Sequence, residues 1–265
     1  MSYVLDPSKP NAARIYDYLL GGKENFAADR AAAEQLLRAL PDAARIARAN
    51  RAFLAAAVRQ VAGYGIEQYV DIGAGLPTSP NVHECARAAV PGARVTYVDN
   101  DPVVVTHARA LLAADDGVSV VSSDARDYQA ILSALDLGGT IDLSRPVGVL
   151  LVSVLHFMAD NDADALVAAF RDRMAPGSYL VLSAGCRDDS SAPIGEQIQS
   201  AYGSGTLLSG RTAAEIAAYF GDFELVPPGV VPVTEWPVEV PGAQQPPPLA
   251  PATPAVLAGI GRKRP

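Results

Sequence analysis

Apolar positions along the chain follow two different periods, and the change falls near Gly63. Before it, residues 11 to 62 are rich in Ala, Leu and Arg, with apolar positions recurring at helical spacing. Helices are expected over Ala12–Leu20, Ala27–Leu40 and Asp42–Ala62, separated by Gly21-Gly22 and by Pro41. After Gly63, short apolar runs alternate with helical stretches. Strands are expected at Gln68–Ile72, Arg94–Val98, Val118–Ser122, Val147–Leu155 and Tyr179–Ala184. Helices are expected between them at Asn81–Ala89, Pro102–Ala113, Tyr128–Leu135 and Ala163–Met174. Such alternation builds an α/β fold, a mostly parallel sheet with helices on both faces. Local chemistry agrees: Asp101-Pro102 supplies an N-cap and a first-turn proline. Thr212 and Glu215 form a capping box for a helix that runs to Phe220.

Residues 227–254 hold ten prolines in 28 positions and read as loop or extended chain. Strand-like pieces flank them at Phe223–Val226 and Ala255–Ile260. These can close the sheet as an antiparallel hairpin around a proline-stiffened insertion; the other reading is a disordered linker. The expected organisation is one globular unit: a helical segment over residues 1–62 and an α/β domain over residues 63–265.

Composition narrows the partners. Of 265 residues, 49% are hydrophobic, enough for a sizeable core, and the formal charge is −8. That balance argues against a broad nucleic-acid or anionic-membrane surface. The N-terminal cations Arg14, Lys23, Arg30, Arg38, Arg45, Arg48, Arg51 and Arg59 read mostly as solvated helix faces. Two distant cysteines, Cys85 and Cys186, suggest neither a disulfide framework nor a metal site, and point to the cytoplasm. No secretory signal opens the sequence, and the apolar run at Val147–Leu155 falls well short of the roughly 20 residues that span a bilayer.

The chemistry gathers at strand ends. In VDIGAGLP, a strand ends in Asp71, and Gly73 and Gly75 allow a sharp turn with close backbone approach to a ligand. The next strand ends in Asp99, whose carboxylate can accept from two ribose hydroxyls. The third leaves Asp124, which can accept from an adenine amine. Each alone is an ordinary turn or capping residue; together they mark an adenosyl site in the crevice of an open sheet. Position 78 is Thr, so the dinucleotide pattern G-x-G-x-x-G is not met. Pro77 and Pro80 also remove amide donors where a pyrophosphate would sit. An acid just before the glycines suits a cationic or zwitterionic ligand.

DIGAG, YVDND and DAR resemble motifs I, II and III of class I S-adenosylmethionine-dependent methyltransferases. With PSKPNAARIYDYLLGGKENFAADR, DIGAGLPTSPNVHECA, YVDNDPVVVTHARALL, VLHFM and PGSYLVLS, the whole chain resembles the actinobacterial S-adenosyl methyltransferase family, formerly a domain of unknown function. The resemblance implies a Rossmann-like, seven-stranded sheet whose last strand is antiparallel. It implies cofactor contacts at Asp71, Gly73, Ala74, Gly75, Asp99, Asn100, Asp124 and Ala125, and a strand tip at Ser153 beside the methyl group. Ala74 departs from the Thr common in the family, and Pro77 replaces the usual methyltransferase glycine. No acceptor follows from the resemblance, although the acidic chain suits a small molecule better than nucleic acid. A sensor that binds the cofactor without transfer, and an NAD(P)-dependent oxidoreductase, are the competing functions.

Methyltransferases often cover the cofactor with residues that precede the sheet, which suggests a pocket-lining or lid role for Tyr16, Tyr18, Lys23, Asn25 and Phe26. The alternative is that Gly21-Gly22 caps a helix which the tyrosines pack down. His156, just past a strand tip, is the candidate general base or, equally, a hydrogen-bonded structural side chain. No metal ligand set is visible. Asp160, Asp162 and Asp164 suit a helix N-terminus.

Overall fold

A computed structural model describes residues 5–112, 115–187, 192–203, 206–237 and 256–264. In it the runs after Gly63 form strands β1 (Gln68–Ile72), β2 (Arg94–Asp99), β3 (Val118–Ser122), β4 (Gly148–Val152) and β5 (Tyr179–Gly185). These five pair in parallel in the order β3-β2-β1-β4-β5. The order reverses direction between β1 and β4, which opens a crevice at their carboxyl ends. The last strand, β8 (Val256–Arg262), lies antiparallel to β5. Its other edge carries two short antiparallel strands, β6 (Glu224–Leu225) and β7 (Val231–Pro232).

Alternation along the strands divides the core into two layers. Val70, Ile72, Val149, Leu151, Leu180 and Leu182 face one side, where Leu166, Phe170 and Phe220 pack on them. Tyr69, Leu150, Tyr179 and Val181 face the other, against Phe53, Ala57, Val58 and Val61. Those last four belong to α3 (Ala43–Gly63), which follows α1 (Ala12–Leu19) and α2 (Ala27–Ala39). A third, smaller cluster joins Ile15 and Leu19 of α1, Ala33 and Leu36 of α2 and Ala201. Ala201 lies in α8 (Ala192–Tyr202); the helices between are α4 (Val82–Arg87), α5 (Pro102–Leu112), α6 (Tyr128–Gly138) and α7 (Asp160–Arg173). A short helix α9 (Ala213–Ala218) follows, with the Thr212–Glu215 capping box in place.

Three features differ from the sequence expectations. The fourth strand ends at Val152 rather than Leu155, because Ser153 turns into the left-handed region at φ 57 and Leu155–Phe157 winds into a 3-10 turn. Helix α8 carries no strong sequence signal; its residues Ile198, Ala201 and Tyr202 join the cluster around α1 and α2. The seven expected strands become eight, because one strand position beside β8 is split into β6 and β7. β7 lies inside the proline-rich stretch, where Pro232 is tolerated on a sheet edge. Residues 238–255 of that stretch lie outside the described residues.

Candidate functional site

The turn after β1 is bound to the neighbouring strand. The amides of Gly73 and Ala74 both donate to the carbonyl of Val98, at 2.8 and 3.2 Å. Gly73 has φ +71, and a Cβ there would come within 2.7 Å of Val154 Cγ2, so both conformation and space require glycine. The amide of Gly75 donates to Oδ2 of Asp99 at 2.9 Å, and that of Asp101 donates to Oδ1 at 2.9 Å. Asp99 thus bridges the ends of β1 and β2.

Asp71 is buried, and among the described residues no side chain or amide donates to its carboxylate. Burial pushes its pKa up to about 7; the cation of Arg51 opposes the rise and the charge of Asp99 adds to it. Burial also lifts Asp99 to about 6, opposed by the amides of Asp101 and Gly75. Two carboxylates held this way favour a ligand that brings positive charge or hydrogen-bond donors. At the tip of β3, Oδ2 of Asp124 accepts from Asn100 Nδ2 at 3.1 Å, and the carboxylate takes a bidentate contact from Arg126.

These groups open onto a cavity of about 880 Å³ bounded by the strand tips, α1, α2, α3, α8 and the segment 206–212. Asp71, Gly73, Ala74, Gly75, Asp99 and Asn100 all line it. So do Asp124, Ala125, Ser153, Tyr16 and His156. Tyr18, Lys23, Asn25 and Phe26 do not. Lys23 is exposed to solvent, and Tyr18 packs at the edge of the cluster between α1 and α2. Asn25 is buried in the turn itself, donating to Asp17 Oδ2 at 2.7 Å and to the carbonyl of Gly22 at 3.1 Å. Phe26 starts α2 and lies under the guanidinium of Arg14, 5.2 Å from ring centroid to Cζ.

Two buried networks tie the N-terminal helices to the strand tips. Arg14, expected on a solvated face, is only 3% exposed. Its Nε donates to Asp29 at 2.8 Å, its Nη1 to Asp101 at 2.7 Å and its Nη2 to the carbonyl of Lys9 at 3.0 Å. Asp101 in turn caps α5 through the amide of Val103 at 2.7 Å. In the second network the Tyr16 hydroxyl donates to the carbonyl of Ala47, and Asn50 Nδ2 donates back to that hydroxyl at 3.1 Å. Ser183 Oγ donates to Asn50 Oδ1 at 2.6 Å and accepts from the amide of Ser153 at 3.0 Å. Ser153 is the one non-glycine residue with positive φ among those described, and this network holds it there.

Arg51 also departs from the solvated-face expectation. It lines the cavity and donates to the carbonyls of Thr78 and Pro80 in the loop after the glycine turn. Asn50 carried a readable signal, since it sits four residues from both Ile46 and Leu54 on the apolar stripe of α3. Arg14 and Arg51 carried none, because their partners are remote in sequence.

His156 faces the cavity beside Phe157. Its Nδ1 accepts from the amide of Gly185 at 3.2 Å, which leaves the proton on Nε2. Burial, with a smaller contribution from the Arg211 cation, pushes its pKa down to about 4. Arg211 is fully buried and fixes the segment 206–211 over the 3-10 turn, donating to the carbonyls of Leu155 at 2.8 Å and Met158 at 3.1 Å.

The sequence matches the family model for S-adenosyl methyltransferase over residues 1–264. No curated protein matches it by sequence. Among solved structures, the chain is similar to a candidate methyltransferase from Thermobifida fusca YX, at 44% identity and a TM-score of 0.88, over 97% of this chain and 96% of that one. It is similar to a DUF574 family protein from Streptomyces avermitilis MA-4680 at 35% identity and a TM-score of 0.86, over 97% and 99% of the two chains. The N-methyltransferase NodS from Bradyrhizobium japonicum WM9 shares the fold at 13% identity and a TM-score of 0.50, over 84% and 99%.

Proposed function

The chain belongs to the S-adenosyl methyltransferase family, and we propose that its cavity holds S-adenosylmethionine against the tips of β1, β2 and β3 and a small-molecule acceptor beneath α1, α2 and α8. It is a methyltransferase of Rossmann-like α/β fold that uses S-adenosylmethionine. The observation that carries the reading is a pair of carboxylates, buried Asp71 and half-buried Asp99, opening onto one large cavity where the sheet order reverses. An acid without a protein donor, next to glycines that admit close approach, fits a ligand with an ammonium and a sulfonium.

Asp71 would answer the cationic methionine end. Asp99 would accept from the ribose hydroxyls, and Asn100, Asp124 and Ala125 would flank adenine. Arg51, near Asp71 on the cavity wall, is suited to the methionine carboxylate. Once bound, the cofactor supplies a methyl group already activated on sulfur. The protein's part is then to position the acceptor and exclude water. Ser153, held in its strained conformation, shapes the wall at the tip of β4. His156 acts as a donor through Nε2–H and orients the acceptor; with Nδ1 occupied and the ring neutral near pH 7, it is a poor base. Residues 5–62 form the cover of the pocket mainly through α1, with Tyr16, and α3.

A small acceptor in the cytoplasm suits the charge of −8 and two cysteines that form no disulfide. Among the described residues no helix is long and apolar enough to cross a membrane.

Calorimetry with S-adenosylhomocysteine tests the cofactor end. Hydrogen bonds to a charged group contribute about 1.5–3 kcal/mol each, so Asp99→Ala should weaken binding by roughly ten- to a hundredfold or more. An unchanged affinity would refute the ribose assignment, and tight NAD(P) binding would overturn the cofactor reading. Incubating the protein with cell extract and methyl-labelled cofactor tests transfer: label on a low-mass product supports it, and label reaching no acceptor favours a sensor.

A further inference from the structure

The cavity wall changes character with distance from the strand tips. Its acidic groups stand on β1, β2 and β3, whereas the end enclosed by α2, α3, α8 and the segment 206–208 is lined by Leu36, Leu40, Ile46, Ile198 and Leu208. The cationic groups on the wall are engaged elsewhere: Arg51 by loop carbonyls, Arg126 by Asp124, and Arg187 by Glu215 at 3.1 Å. Among the described residues that line the cavity, none on α2, α8 or the segment 206–208 is charged.

One wall of that end is a row of rings. His156 and Phe157 have centroids 4.4 Å apart, and Phe157 meets Tyr202 edge-on at 5.4 Å. Two polar atoms on this row, Nε2 of His156 and the hydroxyl of Tyr202, have no hydrogen-bond partner among the described residues. Burial keeps both groups neutral, pushing the imidazole pKa down and the phenol pKa up.

An ion brought into such a chamber would lose its hydration with no counter-charge to replace it, which disfavours its binding. A planar ring gains area and favourable stacking on an aromatic row. A ligand oxygen or nitrogen would satisfy donors that otherwise remain unpaired. The geometry points to an acceptor that is neutral, planar and mostly apolar, an aromatic compound lying against His156, Phe157 and Tyr202. Its oxygen or nitrogen takes a hydrogen bond from Nε2 of His156 or the Tyr202 hydroxyl. This rests on the methyltransferase reading of the other end of the same cavity.

The test uses N-phenyl-α-naphthylamine, a neutral fluorescent aromatic, with its sulfonated anion as the control, on the full-length protein saturated with S-adenosylhomocysteine. The neutral probe should give a saturable, blue-shifted signal, and the anion should bind at least about tenfold more weakly. Ile198→Asp and Leu208→Asp should each weaken the neutral probe at least about tenfold, with S-adenosylhomocysteine affinity unchanged by calorimetry. Leu208 lies on the segment after α8 rather than in a helix, so its variant keeps the test alive if Ile198→Asp fails to fold. Equal binding of both probes, displacement of the neutral probe by S-adenosylhomocysteine, or unaltered probe binding in a folded variant would overturn the assignment. Binding of S-adenosylhomocysteine without the probe removes only the acceptor class; failure of S-adenosylhomocysteine to bind removes the cofactor reading beneath it.

Discussion

Replacing Arg14 by methionine isolates the energetics of the buried network that joins the N-terminal helices to β2. Methionine keeps an unbranched stem against Phe26 but removes all three donors, to Asp29 at 2.8 Å, Asp101 at 2.7 Å and the Lys9 carbonyl at 3.0 Å. Asp29 is 0% exposed and Asp101 4%, so neither carboxylate can turn to water. Each keeps backbone donors, from Asn11 and Phe26 on one and from Val103 on the other, so neither is stripped entirely. Removing one partner of a buried ion group costs about 3–5 kcal/mol, which for a chain of this size lowers Tm by roughly 6–20 °C. Urea denaturation followed by far-ultraviolet circular dichroism reads the loss as a lower midpoint at unchanged slope. The decisive comparison is the double variant Arg14→Met, Asp101→Asn, because Asp101 takes its backbone amides on one oxygen only, whereas each oxygen of Asp29 accepts an amide and cannot become an NH2 group. If the loss comes from stranded charge, the double variant recovers part of it. A single variant that loses less than about 1 kcal/mol, or a double variant no more stable than the single one, refutes this account of the network.

Asp71 gives a pH signature. Its pKa of about 7 lies above its ordinary value of 3.8, so the folded protein holds this proton more tightly than the unfolded chain and loses stability as pH rises through that interval. Without ligand, the Tm of Asp71→Asn should gain on that of the unmodified protein between about pH 5 and about pH 8, and a constant difference would contradict the burial argument. Affinity for the cationic cofactor should rise over the same window, as calorimetry at several pH values can show. At Gly22 an added Cβ would lie 2.0 Å from Asp17 Oδ1, the carboxylate that also accepts from Glu24 N and Asn25 Nδ2. Gly22→Ala should therefore cost about 1–3 kcal/mol in urea denaturation, and a neutral result would show that the turn has slack.

The strands at Gln68–Ile72 and Val118–Ser122 coincide with their sequence boundaries, because apolar runs between turn residues already specify them. The acids at strand tips were legible for a related reason: their spacing follows from strand–helix alternation itself. What escaped was non-local. Arg14 meets Asp101 across 87 positions of sequence, and nothing in the periodicity of α1 distinguishes it from a solvated arginine. Helix α8 packs against α2, so its reason to be a helix lies in another part of the chain. The polar residues after Gly21-Gly22 were legible as unusual, yet Asn25 spends its amide on the turn rather than the cavity. A polar side chain near a site resembles one in the site until its partners are known.

The position of β8 has a consequence for how the protein is made. It lies inside the sheet, with β5 on one edge and β6 and β7 on the other, so two strands are synthesised before the strand that holds them. Until residues 256–262 leave the ribosome, β5 presents an unpaired edge, the kind of template on which chains aggregate. The last part of the stretch translated during that interval, residues 227–254, is rich in proline, and its prolines cannot donate to a ladder. It is therefore a poor rival for the vacant edge. Its composition guards that edge until the right strand arrives.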